Sequence, residues 1–150
     1  MSIKYLFTFL ITLCFLALVG CESKVRFAKA AETEVDPTKL SKITGLSKRI
    51  LAAQRAGGYY ALTEEEATAD MINGLTESVQ KSAYEQVSSV FGDYQGIEFD
   101  HLMKATDGRL VELYRFRGQF APGAEVEVRA VINAKGKLAG FFIKPWNDNP

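Results

Sequence analysis

Three side chains in the C-terminal half have types that can do acid–base or binding chemistry: His101, Glu112 and Tyr114. A histidine beside a carboxylate can act as a general base, and a tyrosine hydroxyl can donate a hydrogen bond to a bound ligand. The three lie close together only if the chain between them folds back on itself. The pair Asp107-Gly108 is typical of the tight turn of a β-hairpin. The elements around this turn therefore decide whether a site forms.

From Ile97 onward apolar residues recur with a period of two, which predicts β-strands. Turn residues at 107–108, 122–123 and 135–136 divide this half of the chain. The predicted strands are 97–105, 109–120, 124–134 and 137–144. Strands joined by such short turns pair antiparallel. We therefore expect a four-stranded antiparallel meander.

The preceding stretch has apolar residues at helical spacing and three helix start signals. Asp36-Pro37 combines a capping side chain with proline in the first turn, and Thr63 and Ser82 each begin a capping-box pattern. Glycines at 57–58 and 92 are the matching stop signals. Helices followed by strands predict an α+β fold in which the helices cover one face of the sheet.

The position of a turn sets the register of a hairpin, and the register decides which side chains share a face. With a turn at 107–108, His101 is expected opposite Tyr114 and Glu112 opposite Met103, all on the face that the helices cover. The three turns also predict four apolar pairs: Phe99 with Phe116, Phe116 with Val128, Tyr114 with Ala130, and Ile132 with Ala139. One interpretation is a ligand pocket with His101 and Glu112 at its floor. The other is an internally hydrogen-bonded triad, because buried polar groups are normally paired. No nucleophile or oxyanion donor is recognisable beside them, so we assign no catalytic residue.

The opposite face of the sheet is predicted to combine charged residues, with Arg117 facing Glu127, and an apolar stripe across all four strands. The stripe consists of Leu102, Leu113, Val131, Leu138 and Phe142. An apolar stripe on an uncovered sheet face favours a protein partner, including a second copy of the chain in a homodimer. The alternative is that a helix or the C-terminal tail with Trp146 folds over it.

The composition excludes several classes of function. The 150 residues include 18 basic and 18 acidic side chains, and this balance argues against nucleic acid as a partner. His101 is the only histidine, and the two cysteines, Cys14 and Cys21, both lie in the first 21 residues. We therefore expect no disulfide, no metal site and no cofactor in the folded part. The length supports one small domain.

Residues 1–20 have the layout of a secretory signal, with Lys4 followed by an apolar run that is too short for an ordinary spanning helix. Leu18-Val19-Gly20-Cys21 resembles the bacterial lipobox. In lipobox proteins the cysteine is acylated by fatty acids such as palmitate, and the signal peptide is cut just before it. The resemblance implies that Cys21 is the lipidated first residue of a cell-envelope lipoprotein. An ordinary signal peptide or an uncleaved anchor helix is the alternative.

Several acyl chains would hold the protein at the bilayer, because each buried CH₂ contributes about 0.8 kcal/mol. Glu22 follows the cysteine, whereas the family's signal for retention in the inner membrane is Asp there. The resemblance thus implies the outer membrane, facing the periplasm, in a double-membraned bacterium, and the outer leaflet of the cell membrane otherwise. Residues 21–35 lack a sustained apolar period and are typical of a flexible tether, which places the domain at 36–150.

A second resemblance rests on the stretch FGDYQGI at 91–97 and on the run 114–145, which ends in AKGKLAGFFIKP. Over roughly residues 46–145 the chain resembles a bacterial domain of unknown function that is grouped with the NTF2-like and cystatin-like folds. That domain occurs in secreted proteins, sometimes ahead of an α/β-hydrolase, and we expect this one to stand without a hydrolase. The resemblance implies helices packed into the concave side of a curved sheet, often around a cavity, and it implies no catalytic residues.

These observations favour a non-enzymatic envelope lipoprotein that binds a small ligand or another envelope protein. One alternative is a small hydrolase or isomerase that uses His101 with Glu112. The other is an inhibitor or assembly subunit that acts through the outer sheet face.

Overall fold

The structure of the protein is a computed structural model that describes residues 25–148. The signal segment, the lipobox and Cys21 lie outside the described residues. Within residues 25–148 no helix combines the length and the apolar character needed to cross a bilayer.

Residues 25–148 fold into three α-helices and one five-stranded antiparallel sheet. In chain order the elements are β1 (Phe27–Lys29), a short 3-10 turn (Glu32–Glu34), α1 (Pro37–Arg55), α2 (Ala69–Gly74), α3 (Glu77–Phe91), β2 (Tyr94–Ala105), β3 (Glu112–Phe120), β4 (Ala124–Ile132) and β5 (Leu138–Pro145). The strands lie in the sheet in that same order. The expected α+β fold with an antiparallel meander is confirmed, and the sheet has one strand more than expected.

The additional strand, β1, lies in the segment that the sequence pattern predicts to be a tether. It pairs antiparallel with residues 103–105 at the edge of β2. The pairing continues beyond the strand, because Thr106 donates its N–H to the Arg26 carbonyl at 2.9 Å and Ala30 donates to Leu102 at 2.9 Å. A three-residue edge strand buries too few side chains to leave a periodic pattern.

The first helix begins where the sequence predicts. Asp36 Oδ1 accepts the N–H groups of Thr38 at 2.8 Å and Lys39 at 3.1 Å, which satisfies two of the donors that a helix start leaves unpaired. The predicted stop at Gly92 is also confirmed, since α3 ends at Phe91 and Gly92 has φ +83°. Such an angle is available to glycine without strain.

The other two helix starts differ from the prediction. Helices α2 and α3 are capped by the hydroxyls of Thr68 and Thr76, which accept from N–H groups three residues later. The pattern that begins at Thr63 forms a turn instead, in which the Glu66 carboxylate accepts the Thr63 N–H at 3.2 Å. Ser82 lies inside α3. Of the two predicted capping-box patterns, one therefore lies in a turn and the other inside a helix, and neither begins a helix.

The core lies between one face of the sheet and helices α1 and α3. Its fully buried side chains include Ile50, Leu51, Leu102, Tyr114, Phe116, Phe120, Val126, Val128, Ile132 and Leu138. The predicted β3–β4 register is confirmed, with Tyr114 opposite Ala130 and Phe116 opposite Val128. Between β4 and β5 a register shift places Ile132 opposite Leu138, one residue from the expected partner.

The β2–β3 register changes at a β-bulge between Phe99 and His101. Phe99 still faces Phe116, as predicted, but Asp100 is an extra residue and His101 faces Arg115. A slip of one residue moves every following side chain to the other face of the sheet. From the bulge to the end of β2, each side chain therefore lies on the opposite face of the sheet from the one predicted.

Candidate functional site

Two of the three predicted site residues lie together, at the end of the sheet where α1 begins. The Tyr114 hydroxyl donates to Glu112 Oε2 at 3.3 Å, and Lys39 Nζ donates to the same oxygen at 2.9 Å. Lys39 was not among the predicted residues, because nothing in the sequence shows that the first turn of α1 meets the start of β3. The carboxylate of Glu112 is therefore both hydrogen-bonded and paired with a charge.

An open cleft of about 400 Å³ lies beside Glu112. We call it the hairpin cleft, because the β2–β3 hairpin forms much of its wall. Its polar lining is Lys39, Lys104, Arg109, Glu112 and Asn133, and its apolar lining includes Ala105, Leu110, Val111 and Ala134. Glu112 is therefore paired with Lys39 and Tyr114 and also lines a ligand-sized space.

Each cationic side chain at the wall of the hairpin cleft is paired with a carboxylate, Lys39 with Glu112, Lys104 with Glu34 and Arg109 with Asp107. Lys39 and Lys104 are each partly exposed, and Lys104 Nζ donates to Glu34 Oε1 at 2.9 Å. That hydrogen bond lowers the pKa of Glu34 and raises the pKa of Lys104, so both stay ionised at neutral pH. Each ammonium has three N–H donors, whereas the structure shows one bond to a carboxylate for each. Both lysines therefore retain donors for an anionic group.

The Tyr114 hydroxyl is held in its protonated form. Burial raises the pKa of Tyr114 far above its usual range, and the charge of Glu112 raises it further. Tyr114 therefore keeps its proton and donates a hydrogen bond to Glu112 throughout the physiological pH range, at the same oxygen that Lys39 binds.

The third predicted residue, His101, lies on the other face of the sheet. The prediction that His101 shares a pocket with Glu112 and Tyr114 is wrong, because the bulge at Asp100 turns the histidine away from the helices. His101 Nδ1 instead lies 2.7 Å from Asp100 Oδ2, next to Arg115.

A charged network surrounds His101 on this outer face, the face that the helices do not cover. Arg115 donates to Asp100 at 2.9 Å and to Glu127 at 3.1 Å, and Arg129 donates to the other oxygen of Glu127. The side chains of Arg115 and Glu127 are only 3% and 0% exposed. Burial alone would raise the pKa of Glu127, but the hydrogen bonds from the two arginines outweigh it and hold the pKa below its usual value.

The pairing of Arg117 differs from the expectation. Arg117 does face Glu127 across the strands, yet its guanidinium binds Glu125 at 2.8 Å, because Glu127 is already held by Arg115 and Arg129. The Arg117–Glu125 pair is solvent-exposed. Its contribution to stability is therefore small.

The C-terminal tail covers the charged part of the outer face. The guanidinium carbons of Arg115 and Arg117 lie 4.0 and 3.9 Å from the centre of the Trp146 ring. Arg115 also donates to the main-chain carbonyl of Asn147. The tail, proposed from the sequence as a cover for the apolar stripe, thus covers the arginines instead, and Phe142 of the stripe stays exposed.

The predicted apolar stripe on the outer face is wrong for two of its five residues. Leu102 and Leu138 point into the core, because of the bulge in β2 and the register shift before β5. Of the remaining three, Leu113 is buried, Val131 is half-buried and Phe142 is 55% exposed. Met103, expected in the core, faces Leu113 across the hairpin. The apolar surface on this face is therefore smaller than the sequence indicates.

No family model matches this chain, and comparisons with curated proteins and with solved structures also find no match. Among residues 25–148 there is no group of three or more histidine, cysteine or acidic side chains arranged to hold a metal ion.

Proposed function

We propose that this chain is a lipid-anchored cell-envelope protein whose domain is a non-catalytic binding module, and that the hairpin cleft holds a small amphipathic anion. An arrangement like that of the NTF2-like and cystatin-like folds is part of the proposal. It is supported by the order of elements, with helices ahead of a meander, and by the packing of α1 and α3 on one face of the sheet.

The lining of the hairpin cleft is the observation on which the proposed ligand class rests. Three cationic side chains, Lys39, Lys104 and Arg109, line it, and each is paired with one carboxylate. The two lysines keep further N–H donors, and the remaining wall is largely apolar. Charge-assisted hydrogen bonds from lysine favour a carboxylate, phosphate or sulfonate group, and the apolar wall favours a hydrocarbon part next to it.

The outer face is less well suited to a small ligand. Arg115 is bonded to Asp100, Glu127 and the Asn147 carbonyl, and Trp146 covers it. The enzyme alternative loses its basis as well, because His101 lies on this face and cannot act as a base on a ligand held beside Glu112.

Binding of anilinonaphthalene sulfonate, a fluorescent amphipathic anion, tests the ligand class. The double variant K39Q/K104Q of a soluble form, residues 22–150, should bind the dye about tenfold more weakly or worse, since two charge-assisted contacts are removed. The measurement is a fluorescence titration at low salt.

The matched control is K81Q, which removes an exposed lysine of α3 that pairs with Glu77 at 2.7 Å, far from the cleft. It should bind the dye as tightly as the unaltered protein. Equal affinities for the double variant and the unaltered protein would show that the cleft is not the anion site.

A further inference from the structure

The covalent chain limits how far the proposed anchor can lie from the domain. Cys21 precedes Val25, the first described residue, by four residues. Their Cα atoms are therefore at most about 14 Å apart, whatever the conformation between them. If Cys21 is acylated, the end of the domain where the chain enters must lie close to the bilayer.

The strand pairing identifies that end. Strand β1 runs antiparallel to β2, with Phe27 opposite Ala105, and the Arg26 carbonyl accepts the Thr106 N–H at 2.9 Å. The chain before Phe27 therefore runs alongside the β2–β3 hairpin turn. Residues 106–111 of that turn extend beyond the level of Phe27, toward the side from which the chain enters.

The hairpin turn carries one of the most exposed large apolar side chains of residues 25–148. Leu110 is 77% exposed, beside Arg109, and both line the hairpin cleft. An exposed leucine is favourable at a membrane interface, where its apolar side chain enters the acyl boundary. Exposure of Leu110 to water is unfavourable, and Leu110 lies at the hairpin end of the domain, which the anchor would bring to the bilayer.

We propose that the hairpin end of the domain lies on the leaflet that holds the anchor, with Leu110 in the interface, and that the anion bound in the hairpin cleft is the headgroup of an anionic phospholipid. This inference rests on the proposed function, since it requires acylated Cys21. The lysines Lys39 and Lys104 supply donors for a phosphate, and Leu110 and Val111 supply the apolar wall that its acyl chains would meet.

The opposite end of the domain provides a matched reference position. Val90 is 72% exposed near the end of α3, just before β2 begins. Strand β2 has 12 residues and extends about 36 Å between the two ends. A probe at Val90 therefore lies beyond the reach of the bilayer in the proposed orientation.

Site-specific fluorescence on the full acylated chain tests the orientation. The variants L110C and V90C, labelled with an environment-sensitive dye, are incorporated into vesicles of phosphatidylcholine and phosphatidylglycerol. Spin-labelled lipids should quench the dye at position 110 about threefold or more and leave the dye at position 90 nearly unchanged. Both native side chains are exposed, so both variants should fold.

The outcomes separate the orientation from the anchor. Vesicle flotation with neither position quenched, or with position 90 quenched instead, overturns the orientation while the anchor stands. Protein that does not float with the vesicles overturns the anchor, and the orientation with it.

Photo-crosslinking tests the headgroup. A photoactivatable phosphatidylglycerol should label the hairpin residues 104–112, and K39Q/K104Q should reduce that labelling about tenfold. Equal labelling by the matching phosphatidylcholine, or no loss in the double variant, overturns the assignment of an anionic headgroup.

Discussion

Replacement of Glu127 by alanine is expected to lower the free energy of unfolding by about 3–5 kcal/mol. The Glu127 side chain is fully buried, and it binds Arg115 at 3.1 Å and also Arg129. Without the carboxylate, the nearly buried guanidinium of Arg115 keeps Asp100 as its one carboxylate partner. Two arginines thus lose a buried carboxylate partner, and removal of one member of a buried ion pair is among the most destabilising changes in a protein. Urea unfolding followed by circular dichroism measures the loss.

The neighbouring pair supplies the control for this prediction. Glu125 binds Arg117 on the same face, but both side chains are exposed, so E125A should change stability by less than about 1 kcal/mol. Similar effects of E125A and E127A would contradict the role assigned to the buried network.

The same network sets a dependence on pH. The pKa of Glu127 is lower in the folded state than in the unfolded state. The stabilisation by the ionised carboxylate is therefore fully present above the usual glutamate pKa, and it is lost as the pH falls through the folded-state value. The stability difference between the unaltered protein and E127A should therefore be constant near neutral pH and shrink in acid.

Replacement of Gly92 by alanine is expected to destabilise the fold by at least about 3 kcal/mol, or to prevent folding. Gly92 ends α3 with φ +83°, and a Cβ atom there would lie 1.3 Å from the main-chain oxygen of Ala121. The clash is with backbone, so no side-chain rotation can relieve it. The yield of folded protein and its urea midpoint measure the effect.

Gly57 separates the two causes, because it also has positive φ, +77°, but nothing lies within 4 Å of an added Cβ. The stability of G57A should therefore fall only by the strain of a positive φ at alanine, about 1–2 kcal/mol. If G92A were no less stable than G57A, this result would contradict the close contact between the β3–β4 turn and the end of α3.

Local signals were sufficient for much of the fold. The cap at Asp36, the stop at Gly92 and the β3–β4 register all follow from residues next to the feature that they determine. A turn of defined length fixes the pairing of its own two strands, so Tyr114 and Phe116 could be placed in the core from sequence alone.

The bulge at Asp100 was not predictable, and it changed the candidate site. Leu102 and Met103 are adjacent apolar residues, so a period of two fits either face of the sheet at this point. The bulge places Leu102 in the core and Asp100 at 2.9 Å from Arg115, and both are long-range contacts that alternation does not show. His101 moved to the outer face for the same reason.

The two lysines of the hairpin cleft could not be identified from the sequence, because their partners are far away along the chain. Lys39 meets Glu112 across 73 positions, and Lys104 meets Glu34 across 70. Lys39 lies in α1 and Glu34 just before it, and the position of α1 on the sheet does not follow from the local sequence. The hairpin cleft therefore could not be predicted from charged residues that are close together in the sequence.

The most direct test of the lipid anchor is the intact mass of the protein isolated from cell membranes. We expect a chain that begins at Cys21, carries the mass of several acyl chains and partitions into detergent. A chain that retains Met1, or an unmodified Cys21 in the aqueous phase, would contradict the anchor and the membrane-facing orientation that depends on it.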